Sequence, residues 1–235
     1  MSLRTLTNPI FVAVDVDTAD EALDLIKQTR AFVGGFKVGP RLCLRYGETL
    51  LKEVARHGNM FIDCKFFDIP NTMESSVRAA FDLGASYCTI HAQAGKEALS
   101  RLAEVEAELN KIRAFRLLAV TVLTSFRQDT LPLTRNLPIA EQTQSLAQLA
   151  IDSGLSGLVC SPDEVSSLRA KFPNAFLVTP GVRLSHEDKG DQSRVSDPCT
   201  ALRRGASALV VGRPIYDSLE PALAAKAYYE EIQKA

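Results

Sequence analysis

Eight short apolar runs, each followed by a longer amphipathic stretch, govern what this chain can become. The runs are Ile10–Val14, Phe32–Val38, Met60–Lys65, Tyr87–His91, Leu117–Leu123, Leu155–Cys160, Phe176–Thr179 and Ala208–Val211. Each is four to seven residues long and rich in Val, Ile, Leu or Phe, the pattern of strands covered on both faces. Between them, Thr18 and Glu21 form a T-x-x-E capping box ahead of Ala22, Leu23 and Ile26. Leu50, Leu51 and Val54 share one helical face, as do Leu146, Leu149 and Ala150, and a last helix is expected from about Ser218 to Lys234. Strands alternating with helices predict a parallel sheet with right-handed crossovers. Eight repeats in 235 residues close naturally into a (β/α)8 TIM barrel of the α/β class. An open doubly wound sheet is the alternative, weakened because no G-x-G-x-x-G follows the first strand. No Pro/Gly/Ser-rich linker or low-complexity tract divides the chain, so residues 1–235 are expected to form a single domain.

Charge and cysteine usage narrow the partners. Twenty-seven basic residues against 28 acidic ones leave a net charge of −1, with no global attraction to nucleic acid or to an anionic membrane surface. No run reaches the roughly 18 apolar residues of a membrane span. The opening MSLRTLTNPIFVAVDVD lacks the apolar stretch and cleavage site of a secretory signal, being interrupted by Asp15 and Asp17. Cys43, Cys64, Cys88, Cys160 and Cys199 are odd in number and never spaced C-x-x-C, so reduced thiols used for packing are expected. His57, His91 and His186 are too scattered to suggest a metal cluster. The expectation is a soluble cytoplasmic protein.

Two connections are long, from Phe126 to Pro138 and from Pro180 to Ser196. Both follow strands, on the face where barrels of this kind keep their active sites. The second, PGVRLSHEDKGDQSRVS, is strongly polar and reads as a loop ordered by ligand.

The third run ends in MFIDCKFFDIPNT. Strand side chains alternate faces, so Asp63 and Lys65 are expected on the same side, about 6.6 Å apart along the backbone, with Cys64 turned toward the helices. Asp68 follows just beyond. The second run carries Lys37 near its end, and the first is followed by Asp15. An isolated D-x-K reads first as a buried salt bridge. Charges at the ends of three consecutive strands are costly to place over an apolar core, and they favour a catalytic site. Gly212 and Arg213 follow the eighth strand, and Gly181 and Arg183 follow the seventh. Loops after these strands often bind phosphate in barrels; glycine permits close backbone approach and arginine offers a planar fork.

These strings together resemble the orotidine 5′-monophosphate decarboxylase family over nearly the whole chain. The matching segments are F-V-A-V-D at Phe11–Asp15, F-K-V-G at Phe36–Gly39, D-x-K-x-x-D-I-P-N-T at Asp63–Thr72, V-T-V-L-T-S at Val120–Ser125, T-P-G-V-R at Thr179–Arg183, G-D-Q at Gly190–Gln192 and V-G-R-P at Val211–Pro214. The family commonly has Leu and His where this chain has Cys64 and Phe67, positions outside the charged array. The resemblance implies a homodimer with sites at the subunit interface. Lys37, Asp63 and Lys65 would come from one subunit, with Asp68 and Thr72 reaching in from the other. It implies that Asp15 holds the ribose hydroxyls and that Thr124 and Ser125 lie at the pyrimidine. Arg183, Gln192, Gly212 and Arg213 would secure the pyrimidine and phosphate end. Asn71 and Pro180, inside the matched strings, are taken as substrate contacts. His91 reads either as a ribose neighbour or as a hydrogen-bonded strand-end histidine.

The implied reaction converts orotidine 5′-monophosphate to uridine 5′-monophosphate and carbon dioxide. Loss of carbon dioxide from C6 leaves electrons in an in-plane orbital that the ring cannot delocalise. The sequence carries no signature for pyridoxal phosphate, thiamine or a metal, so no cofactor is expected and fixed charge must stabilise the carbanion. Lys65 is the expected cation and proton donor. Sugar-phosphate relatives that share D-x-K-x-x-D, 3-keto-L-gulonate 6-phosphate decarboxylase and hexulose-phosphate synthase, use magnesium; I-P-N-T and T-P-G-V-R with G-D-Q argue against them. A non-catalytic phosphate sensor on the same barrel would require a broken charge array.

Overall fold

A computed structural model describes residues 6–131, 137–185, 187 and 195–235. In chain order the elements are β1 (Ile10–Val14), α1 (Ala19–Thr29), β2 (Gly35–Val38), α2 (Pro40–Ala55), β3 (Asn59–Phe66), α3 (Pro70–Asp82), β4 (Ala85–His91), α4 (Gly95–Leu109) and β5 (Arg116–Val120). They continue with α5 (Ile139–Asp152), β6 (Gly157–Val159), α6 (Val165–Lys171), β7 (Phe176–Pro180), α7 (Pro198–Arg203), β8 (Ala208–Val211), α8 (Arg213–Tyr216) and α9 (Pro221–Ile232). Each strand pairs in parallel with the next and β8 pairs with β1, so the sheet closes into a (β/α)8 TIM barrel. The open doubly wound alternative is thereby excluded. No helix among the described residues is long and apolar enough to cross a membrane.

Local rules account for the elements. The capping box at α1 is present: Thr18 Oγ1 accepts the Glu21 N–H at 3.2 Å, and Glu21 Oε2 accepts the Thr18 N–H at 2.9 Å. Three expected boundaries move by three residues, and others, such as both ends of β6, by one or two. The second strand starts at Gly35 rather than Phe32, because the Phe32 N–H still turns back onto Thr29 O at 2.9 Å and bonding to β1 begins with the Gly34 N–H on Ile10 O at 2.8 Å. The fifth ends at Val120 rather than Leu123, because Phe126 N–H turns the chain back onto Leu123 O at 3.0 Å. The last long helix starts at Pro221 rather than Ser218, with proline at its first turn.

Alternation along the strands builds two packed layers. Ile10, Val12 and Val14 of β1 face the helices, while Phe11 and Ala13 face the barrel axis. The interior is a plug in which Phe11 meets Tyr87 edge-on at 5.3 Å and Phe61 at 5.9 Å, and Tyr87 stacks on Phe176 at 5.7 Å. Gly35 leaves room for the Phe11 ring: a Cβ there would lie 2.6 Å from a ring carbon and 2.2 Å from Asn59 O. The inward positions above this plug, toward the C-terminal ends of the strands, are the polar ones.

Candidate active site

The inward parity of Phe11 and Ala13 carries on to Asp15, just past β1, and β2 places Lys37 between outward-facing Phe36 and Val38. On β3 the inward residues are Phe61 and Asp63. The β2–β3 register sets Lys37 beside Phe61 rather than Asp63, so the long lysine stem reaches up the barrel. Its Nζ lies 3.4 Å from Asp15 Oδ1 and 3.4 Å from Asp63 Oδ2. Lys65 Nζ lies 2.9 Å from Asp63 Oδ1. The result is a continuous alternating chain: Asp15, Lys37, Asp63, Lys65.

Lys65 reaches this position by a route that simple alternation does not describe. The β3–β4 register shifts between Ile62 and Phe66, and Lys65 has φ 49°, the only positive φ at a non-glycine residue among those described. Its backbone N–H donates to Thr89 Oγ1 at 2.9 Å, and the Thr89 hydroxyl donates to Asp63 Oδ1 at 3.0 Å. Thr89 therefore ties the bulge to the carboxylate. Sequence reasoning passed it over, although two-residue parity from inward-facing Tyr87 would have found it.

The electrostatics keep the pair at the centre ionised. Burial pushes the Asp63 carboxyl up, but Lys37 and Lys65, with hydrogen bonds from Lys65 and Thr89, hold it below the usual carboxylate range. Burial pushes Lys37 down, and the Asp63 and Asp15 charges more than reverse it, so its ammonium is held above the ordinary lysine value. Lys37 and Asp63 side chains are only 11% and 13% exposed, against 37% for Lys65, so the cation open to solvent is Lys65. Over this array lies a cavity of about 140 Å³. Lys37, Asp63 and Lys65 form one wall; Phe61, Val120, Val178 and Val210 form the floor and opposite side, with Thr124 and Pro180 at the rim.

The remaining expected residues fall into three groups. Gly212 and Arg213 sit at the start of α8 directly after β8, and a Cβ at Gly212 would meet the Tyr216 ring at 3.4 Å. Ser125 is exposed in the turn next to Thr124. Arg183 is 8% exposed; its Nη1 donates to Val182 O at 2.8 Å and its backbone N–H to Ser196 O at 3.0 Å. The second group makes no hydrogen bond or ion pair with the array among the described residues. Asp68 is exposed and accepts the Ile69 N–H at 2.7 Å; Asn71 accepts from Arg101 at 3.3 Å; Thr72 is exposed on the first turn of α3. The third group lies outside the described residues: Gln192, His186 and the centre of the polar loop. His91 caps a single turn through Gln93 N–H at 3.4 Å and lies 5.4 Å from the Phe67 ring, the hydrogen-bonded strand-end arrangement.

A closed barrel with lysines and aspartates interleaved above an apolar plug defines a class: a (β/α)8 protein built to hold a small polar ligand at the C-terminal ends of its strands. Residues 8–228 match the model of the orotidine 5′-phosphate decarboxylase / HUMPS family, and the chain belongs to that family. It is 39% identical over 229 residues to the orotidine 5′-phosphate decarboxylase of Trichlorobacter lovleyi, covering 96% of this chain and 95% of that one. It is 40% identical over 230 residues to the enzyme of the same name from Haemophilus ducreyi, covering 97% and 100%. The crystal structure of orotidine 5′-phosphate decarboxylase from Lactobacillus acidophilus superposes with a TM-score of 0.82 at 32% identity, covering 96% of this chain and 99% of that chain.

Proposed function

We propose that this chain is a carboxy-lyase that converts orotidine 5′-monophosphate to uridine 5′-monophosphate and carbon dioxide in pyrimidine biosynthesis, working in the cytoplasm as one catalytic domain. The observation that carries the reading is the array Asp15–Lys37–Asp63–Lys65, with gaps of 3.4, 3.4 and 2.9 Å at the edge of a small cavity. The cavity suits one heteroaromatic ring, and the rest of a nucleotide would extend across the rim. On this reading Asp15 and Lys37 meet the ribose, while Thr124, Ser125 and Pro180 border the pyrimidine. Arg183, Gln192, Gly212 and Arg213 serve the pyrimidine and phosphate end.

The chemistry follows from fixed charge. As the bond from C6 to the carboxylate breaks, negative charge develops at C6, and the Lys65 ammonium stabilises it without reorganising. The same ammonium then delivers its proton to C6. Asp63 has two effects: it holds Lys65 in place, and its negative charge beside a departing carboxylate favours release. The reaction needs no electron-withdrawing cofactor. Asp68 and Thr72 complete the site from a second copy of the chain, with Asn71 a further substrate contact, and Phe67 and Ile69, 60% and 66% exposed beside Asp68, support a homodimer on that face.

Replacing the cation tests the assignment. Lys65→Ala is expected to lose at least about 10⁴-fold in kcat, the scale of removing both electrostatic stabilisation and acid catalysis. Binding of uridine 5′-monophosphate by calorimetry should stay within about tenfold of wild type. Near-normal turnover by purified Lys65→Ala protein would falsify the role of Lys65.

A further inference from the structure

The connection that follows β7 carries Arg183, and its near arm is held by the last helix of the chain. Helix α9 buries Ala225, Tyr228 and Ile232 along one face. The Tyr228 ring is fully buried and packs in the same outer core as Val182. Its hydroxyl donates to Glu187 Oε2 and has Val182 O as a second acceptor at 3.5 Å. The Glu187 carboxylate also accepts the Leu184 N–H at 2.8 Å, and the Glu187 N–H returns to Leu184 O at 3.0 Å. One hydroxyl thus reaches the residue before Arg183 directly and the residue after it through Glu187. Arg183 Nη1 donates to the same Val182 O at 2.8 Å. A bridge between Val182 and Ser196 closes the base of the connection, with Arg183 N–H on Ser196 O at 3.0 Å.

We propose that Tyr228 is a positioning residue, fixing the backbone on both sides of Arg183 through Val182 O and the Glu187 carboxylate and so setting where that guanidinium meets a nucleotide. What Arg183 binds rests on the proposed function; the tie from α9 does not. Phenylalanine would fill the buried space equally well, but only a phenol can donate to a carboxylate, and such charge-assisted bonds are the stronger ones. Burial and the Glu187 charge push the Tyr228 hydroxyl up, so it keeps its proton and remains a donor.

The effect belongs to binding rather than to the chemical step. Asp15, Lys37, Asp63 and Lys65 lie on or just past β1, β2 and β3, none of which pairs with β7. A loosened Arg183 must be ordered by the ligand, and that ordering costs affinity.

The test compares wild type with Tyr228→Phe and Glu187→Ala, the latter at a partly exposed position, so that it carries the test if the buried variant fails to fold. Amide exchange of the ligand-free protein, followed by NMR, should be at least about tenfold faster at Arg183 and Leu184 in either variant, with β1 to β4 unchanged. KM for orotidine 5′-monophosphate should rise about tenfold or more while kcat stays within about threefold, the pattern of lost uniform binding. Added to Arg183→Ala, Tyr228→Phe should change KM no further, because it acts through that residue. Unchanged exchange overturns the proposal, as does faster exchange with a wild-type KM. A KM effect that persists in the Arg183→Ala background, or a fall in kcat alone, also overturns it and leaves Tyr228 as core packing. Wild-type protein that neither binds nor decarboxylates the nucleotide counts against the proposed function, and the exchange rates still decide whether Tyr228 fixes Arg183.

Discussion

Asp63 has more partners than any other side chain in the array: Lys37 at 3.4 Å, Lys65 at 2.9 Å and the Thr89 hydroxyl at 3.0 Å. Thr89 is neutral, yet it also receives the Lys65 N–H, so it sets both the carboxylate and the backbone bulge that delivers the cation. Thr89→Val keeps the volume and removes both hydrogen bonds. Since one hydrogen bond to a charged group is worth about 1.5–3 kcal/mol, kcat for decarboxylation is expected to fall roughly 10–100-fold. Thr89→Ser should recover most of the loss; a valine variant with wild-type kcat would show that Thr89 only fills space. At this scale the charged residues were legible and the neutral one was not. Asp63 and Lys65 stand out in any strand because burying charge is costly, whereas a threonine in an apolar run reads as strand propensity. The positive φ of Lys65 has no sequence signal, because the tertiary register of β3 against β4 imposes it.

Between elements, α4 and β5 carry a second titrating group that composition and spacing do not reveal. Glu106 on α4 accepts the Leu117 N–H of β5 at 3.1 Å. Burial raises its pKa to about 7, against the opposing effects of that hydrogen bond and the Arg116 charge. The folded value lies above the unfolded one, so the carboxyl costs nothing below the unfolded pKa. Its cost grows as pH rises between them and is full above about 7. Glu106→Gln keeps an oxygen for the Leu117 N–H and removes the charge. Denaturant unfolding should show it more stable by about 1–3 kcal/mol at pH 8, with the gain shrinking toward zero near pH 4. An equal effect at both pH values would contradict the burial account. Strand and helix order was readable because short, continuous apolar runs alternate with longer amphipathic stretches. Ends were less so: Phe32 and Leu123 are as apolar as the strands they adjoin, and the turns closed by Phe32 N–H on Thr29 O and Phe126 N–H on Leu123 O decide where pairing starts and stops.

At the scale of the whole molecule, the proposed function requires Asp68 and Thr72 to join the array from a second copy of the chain. Within one chain Asp68 is exposed and its carboxylate accepts only the adjacent Ile69 N–H among the described residues. A single sequence carries no independent sign of the partner, so the dimer was read from resemblance, and exposed Phe67 and Ile69 add a physical reason. Lys65→Ala and Asp68→Ala are each inactive as homodimers in this account. Unfolded together and refolded, they should regain roughly a quarter of the wild-type rate, because half the dimers are mixed and each holds one site with both native residues. No recovery, with mixed dimers confirmed by mass, would place Asp68 in the same subunit's site or outside it. The most direct measurement follows the fall in ultraviolet absorbance of orotidine 5′-monophosphate with purified wild-type protein, with and without excess EDTA. The fixed-charge account predicts loss of the orotate chromophore at the same rate in both. No reaction by the folded protein, or a rate abolished by EDTA and restored by magnesium, would contradict it.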